Sequence, residues 1–123
     1  MSLKKKKHPF EKNETGYHKF AVQQLAEWVG GEAEKQFKVD GRIVFVPDVV
    51  KDDTVYEIVY SHPIDGKKLG MMQYWCYRNS SEMTIFEVSA DFILSQTKKP
   101  ERIETLECYI IEYETIKEKA LGL

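Results

Sequence analysis

Two carboxylates, Asp48 and Glu57, carry the clearest chemical signal in the chain. From Val55 to Tyr60 the residues alternate, so that in an extended strand Val55, Glu57 and Val59 share one face and Tyr56, Ile58 and Tyr60 share the other. Glu57 therefore stands between two valines. An ionised carboxylate on an apolar face is costly unless it is paired, hydrogen-bonded or bound to a cation. Asp48 follows Pro47 at the end of the run Ile43, Val44, Phe45, Val46, and a hairpin between the two runs would bring it against Glu57. Side by side, the two supply hard oxygen ligands of the kind that Mg²⁺ takes from a protein. Such an ion polarises a phosphodiester and generates hydroxide from bound water. A plainer reading stands beside this one, with Asp48 a turn residue after proline and Glu57 solvated on a partly covered sheet.

The elements that must position these groups follow from periodicity. Phe20, Val22, Leu25, Trp28 and Val29 recur at helical spacing from Tyr17 onward, and Gly30-Gly31 supplies a stop. A break at Asp40-Gly41 precedes the strand Ile43 to Val46, and the polar stretch Lys51-Asp52-Asp53 separates it from the strand Val55 to Tyr60. These two strands are expected to pair antiparallel. After His62-Pro63 the pattern turns helical from about Asp65, a candidate cap, to Tyr77. Met71, Met72 and Trp75 are expected to fill the core beneath this crossover. Met83 to Val88 forms a third strand, parallel to the second if the helix packs on the sheet. A short helix over Asp91 to Gln96, a fourth strand over Leu106 to Ile111 and a terminal helix over Glu114 to Lys119 complete the chain.

The 123 residues suit one domain with one modest core. Residues 1–15 are expected to be a flexible basic tail and residues 16–123 a single domain. The content of 42% hydrophobic and 31% charged residues is that of an ordinary globular protein, and no apolar run reaches the roughly 20 residues of a membrane helix. Lys4 to Lys7 lead into His8, Pro9 and Phe10 rather than an apolar stretch, which points to a cytoplasmic protein without a membrane partner. Cys76 and Cys108 form neither a zinc knuckle nor a disulfide framework. The net charge of −2 gives no global attraction to phosphates, so affinity for nucleic acid must come from local clusters of Lys and Arg.

Pro47-Asp48, eight intervening residues and Glu57-Ile58-Val59 resemble the Pro-Asp…Glu-x-Lys motif of nucleases, with Val59 in place of the lysine. The continuation Tyr56 to Leu69, with Ser61-His62 at a turn and Asp65-Gly66-Lys67-Lys68 at a helix start, is similar to a segment of the competence-protein CoiA-like nucleases of the PD-(D/E)XK superfamily. Phe86-Glu87-Val88-Ser89 resembles the strand that follows in that family, and Tyr17-His18 its helix-borne histidine. The resemblance covers about Gly16 to Leu94. It implies an α/β fold with a restriction-endonuclease-like three-layer core, a central mixed sheet of about four strands flanked by helices. It implies Asp48 and Glu57 as ligands of Mg²⁺ or Mn²⁺, with His18, His62 and Lys68 as auxiliary catalytic groups near the phosphate. The implied partner is nucleic acid, DNA before RNA. Because Val59 replaces the strand lysine, Lys67 or Lys68 would have to reach in from the next helix to support the developing charge.

Two function classes remain open. One is a metal-dependent nuclease; the other is a relative without catalysis that binds nucleic acid or a protein partner. A lysine ammonium beside the two carboxylates favours the first, and one pointing into solvent favours the second. A homodimer sharing nucleic acid between two sites is an assembly to be tested by size.

Overall fold

The computed structural model describes residues 14–122. The tail expected over residues 1–15 lies outside the described residues except for its last two, which open a π-helical turn, Glu14–His18. This turn runs into helix α1, Lys19–Val29, whose face of Ala21, Val22, Leu25, Ala26 and Trp28 is buried. Gly30 ends the helix in the left-handed region at φ 69, a conformation that a side chain would strain. The Gly31 N–H then donates to the Ala26 carbonyl at 2.8 Å.

Seven strands and three helices carry the chain onward among the described residues: β1 (Glu32–Ala33), β2 (Phe37–Val39), β3 (Arg42–Phe45), β4 (Val49–Lys51), β5 (Thr54–Val59), α2 (Gly66–Arg78), β6 (Met83–Ser89), α3 (Ala90–Ser95), β7 (Glu107–Ile111) and α4 (Tyr113–Ala120). The main sheet is mixed and five-stranded in the order β1-β4-β5-β6-β7, and β2 and β3 form a separate two-stranded ribbon. β5 and β6 pair in parallel, with Glu57 beside Glu87, across the crossover helix α2. The remaining pairings are antiparallel.

The α/β class is thus as expected, with five strands in the main sheet rather than four. The difference lies in the hairpin before β5. Its first strand is Val49–Lys51, paired Val49 with Tyr56, and not the run Ile43 to Val46. Pro47 has no N–H to give to a ladder and ends that run, which instead pairs back onto β2, Phe45 with Phe37. Asp48 nevertheless arrives opposite Glu57, because it is the next residue outward from the Val49–Tyr56 pair.

Side chains alternate across the sheet into two cores. On one side Val49, Ile58 and Val88 pack with Ala21, Val22 and Leu25 of α1 and with Ala90 and Ile93 of α3. On the other, Val50, Val55, Ile85 and Ile111 pack with Met72 and Cys76 of α2 and with Phe37 and Phe45 of the ribbon. The result is three layers with the sheet in the middle. Stacked Phe37 and Phe45 rings, 4.6 Å apart, meet Trp75 edge-on, with centroids of Phe37 and Trp75 4.9 Å apart. This aromatic cluster fixes the ribbon against α2. Met72 is fully buried, whereas Met71, also expected in the core, is 38% exposed. No helix among the described residues is long and apolar enough to cross a membrane.

Candidate active site

Four elements converge toward the carboxyl ends of the parallel strands β5 and β6. β5 brings Glu57, buried on the face that α2 covers. The turn before β4 brings Asp48, whose N–H donates to Glu57 Oε2 at 3.1 Å. Asp48 Oδ2 accepts the Ile58 N–H at 2.7 Å, so its side chain satisfies a strand donor just beyond the end of the ladder. Its carbonyl also accepts the Glu34 N–H at 3.0 Å. The aspartate is held through its N–H, its carbonyl and its carboxylate.

Lys68 comes from the first turn of α2. Asp65 caps that helix as expected, its carboxylate accepting the Lys68 N–H at 2.7 Å. A lysine in the first helical turn opposes the macrodipole; here the ammonium folds onto Glu57 Oε1 at 2.7 Å. Its side chain remains 30% exposed while that of Glu57 is 8% exposed. Burial first, and the charge of Asp48 second, push the Glu57 carboxyl up to about 7 against the opposing pull of Lys68.

His18, at the start of α1, approaches from the other side of the sheet. Its Nε2 lies 3.1 Å from Asp48 Oδ1 and its Nδ1 lies 2.8 Å from the Tyr60 hydroxyl. A carboxylate can only accept, so Nε2 carries the proton; in the neutral ring Nδ1 then accepts from Tyr60. Glu34 Oε2 lies further from Nε2, at 4.0 Å.

Of the residues picked out from sequence, the structure gathers Asp48, Glu57, Lys68 and His18 into one connected network. His62 sits apart from it, exposed in the loop between β5 and α2. Lys67 is exposed and Val59 is half-buried. One member of the network, Tyr60, and one buried neighbour outside it, Glu87, were not named as site residues from sequence. Tyr60 reaches His18 across 42 positions, a pairing with no local pattern to reveal it. Glu87 is 3% exposed, and its Oε2 accepts the Ile64 N–H at 2.7 Å and the Tyr109 hydroxyl at 3.2 Å. Its signal was present, because Met83, Ile85 and Glu87 alternate as Val55 and Glu57 do.

The donor set bears on the expected Mg²⁺ or Mn²⁺. Among the described residues no group of three His, Cys, Asp or Glu side chains could hold a metal ion. The network brings together two carboxylates, Asp48 and Glu57, fewer than such a group needs; a hard cation that keeps much of its water takes only one or two. Each of their oxygens accepts one N–H or faces one cationic donor, which leaves lone pairs for a further partner.

Comparison with known proteins adds no relative: no family model, no curated protein and no solved structure matches the chain.

Proposed function

We propose that the chain is a metal-dependent nuclease with a restriction-endonuclease-like core, in which Lys68 takes the part of the strand lysine that Val59 replaces. The observation that carries this reading is the 2.7 Å contact of Lys68 Nζ with Glu57 Oε1. A lysine relocated to the crossover helix still delivers its ammonium to the central carboxylate.

Asp48 and Glu57 would hold Mg²⁺ or Mn²⁺, which when bound polarises the phosphodiester and lowers the pKa of water. The chain's own groups do the rest. An ammonium has three donors, so Lys68 can bond Glu57 and still present N–H to a phosphate oxygen or to the attacking water at its exposed edge. That is where stabilisation of developing charge is needed. His18, donating from Nε2, keeps the Asp48 carboxylate oriented. The Asp48 N–H and the strand around Glu57 keep that carboxylate buried and fixed, so little reorganisation is required when charge develops.

The test is incubation of the purified protein with supercoiled plasmid, single-stranded DNA and RNA, with Mg²⁺ or Mn²⁺ and with chelator, beside Glu57→Ala. Cleavage that needs the metal and falls at least 10²-fold in the variant is expected. Absence of metal-dependent cleavage on all three substrates, or cleavage that survives Glu57→Ala, would overturn the reading.

A further inference from the structure

Beside Lys68 a groove opens between helix α2 and the β2–β3 ribbon. It consists of two adjoining cavities. One, of about 300 Å³, is lined by Asp65, Lys67, Lys68 and Met71 with Val44, Phe45 and Val46. The other, of about 400 Å³, shares Val44 and Met71 with it and runs on to Arg42, Ile43 and Tyr74. Lys68 thus belongs both to the carboxylate network and to the wall of the groove.

The lining has two properties not shared by the chain as a whole. Its charge is locally positive in a protein of net charge −2. Arg42, Lys67 and Lys68 line it, Lys68 being paired with Glu57, and Arg78 stands at its far end. Of its two carboxylates, Asp40 is paired with Arg78 at 3.0 Å and Asp65 is engaged as the cap of α2. Its floor is apolar and open to solvent: Ile43 is 52%, Tyr74 45% and Met71 38% exposed. The Tyr74 ring has a partner at its hydroxyl end. Arg78 donates to its hydroxyl at 2.8 Å and lies over the ring at 5.7 Å from the centroid.

We propose that this groove is the track for single-stranded nucleic acid, with the backbone along Lys67 and Arg42 and an unpaired base stacked on Tyr74. The proposal rests on the nuclease reading and names its substrate class. A duplex hides its base faces and offers phosphates and base edges, whereas exposed rings recognise bases freed from the stack. The dimensions agree. Lys68 and Tyr74 are six residues apart on α2, about 9 Å at about 1.5 Å per residue. At about 3.4 Å per nucleotide along a stacked strand, that spans two to three nucleotides.

The experiment is fluorescence anisotropy of the full chain in chelator, where cleavage is off, with labelled 12-mers of thymidine and uridine and a 12-base-pair DNA duplex as probes. Either single strand is expected to bind more tightly than the duplex. Tyr74→Ala should weaken single-strand binding by about 5- to 150-fold, the value of about 1–3 kcal/mol per stacked base converted at about 1.4 kcal/mol per tenfold. Tyr74→Phe should retain most of the affinity, since the ring face remains. Arg42→Glu with Lys67→Glu should weaken binding and flatten its salt dependence. The thymidine and uridine arms separate DNA from RNA as the source of the strand. Preference for the duplex, no binding of either strand, or affinity unchanged in Tyr74→Ala and in the charge-reversal variant would overturn the proposal. Circular dichroism of each variant confirms that binding is read on folded protein. The two readings fail separately: Tyr74-dependent binding without cleavage removes the nuclease and keeps the groove, while Glu57-dependent cleavage with Tyr74-independent binding does the reverse.

Discussion

Glu57 and Glu87 occupy neighbouring strands in the same register row, and both are buried. Their surroundings differ in kind. Glu87 accepts hydrogen bonds from a backbone N–H and a phenol, Ile64 and Tyr109, both neutral donors with no second carboxylate among them. Glu57 faces the Lys68 ammonium on one oxygen and the Asp48 residue on the other. The first arrangement ties the loop leading into α2 to the sheet. The second sets another acidic group and an ammonium beside a buried carboxyl, which burial first and the charge of Asp48 second raise to about 7. The two glutamates are alike in burial and differ in what they face: neutral donors at Glu87, a second acidic residue and an ammonium at Glu57.

The largest expected effect lies on the Glu57 side. Lys68→Met should lower the rate of metal-dependent cleavage by about 10²- to 10³-fold, the range found for loss of one preorganised donor. Thermal unfolding should change little, because a partly exposed ion pair contributes only about 0–1 kcal/mol and Glu57 can take up a proton in its place. Unchanged cleavage would remove Lys68 from the site. Glu87 should behave in the opposite way. Glu87→Ala takes the acceptor from the half-buried Ile64 N–H and Tyr109 hydroxyl and empties the space of a buried side chain. A fall of several degrees in Tm is expected, with Glu87→Gln milder because its amide oxygen still accepts. If Glu87→Ala left Tm unchanged, the contrast between the two glutamates would collapse.

A third effect is read through pH. The folded pKa of Glu57, about 7, lies above its ordinary 4.5. Below about 4.5 the group is protonated in both folded and unfolded chains and contributes no difference. As pH rises toward 7 the unfolded chain releases its proton first, so stability falls; above about 7 the deficit is complete. Its ceiling is roughly 3 kcal/mol, at about 1.36 kcal/mol per pKa unit. Urea midpoints of wild type in chelator should therefore decline from pH 5 to pH 8 relative to Glu57→Gln. Adding Mg²⁺ or Mn²⁺ at pH 8 should recover part of the deficit in wild type alone. Parallel pH curves for the two proteins would show that burial of Glu57 is not opposed as described.

Much of this corner was legible because one rule, alternation along a strand, exposed Glu57 between valines and survives any error of pairing. Helix α2 and its Asp65 cap were legible for the same reason: both depend on local chemistry. The partner of β5 was not. The run Ile43 to Val46 has stronger strand composition than Val49–Lys51, yet Pro47 diverts it, and a two-residue turn at Asp52-Asp53, with Asp52 at φ 55, closes the shorter hairpin. The ribbon did leave a sign. Asp40 and Gly41, at φ 53 and 80, form the left-handed pair that a tight hairpin favours, and Asp-Gly was read only as a break. The two-residue strand Glu32–Ala33 is too short for any periodicity. His62 and Lys67, suggested by resemblance, lie outside the network, while His18, suggested the same way, joins it beside Asp48 and Glu57, which were argued from their own settings.

The smallest effect lies on the far side of Asp48, where the comparison can be sharpened without touching either glutamate. His18 is held between Asp48 Oδ1 and the Tyr60 hydroxyl. If the carboxylate sets the tautomer, removing the phenol should leave the proton on Nε2. Tyr60→Phe is then expected to cost about 1 kcal/mol in stability, the ordinary value of one hydrogen bond, with less than tenfold loss of cleavage. Ring ¹⁵N shifts of His18 should keep the pattern of a protonated Nε2 in that variant. Asp48→Asn should disturb it, since an amide can turn its NH₂ toward the ring and accept the proton no longer. Loss of the Nε2–H tautomer in Tyr60→Phe would place control with the phenol, making Asp48 the follower rather than the anchor of this side of the site.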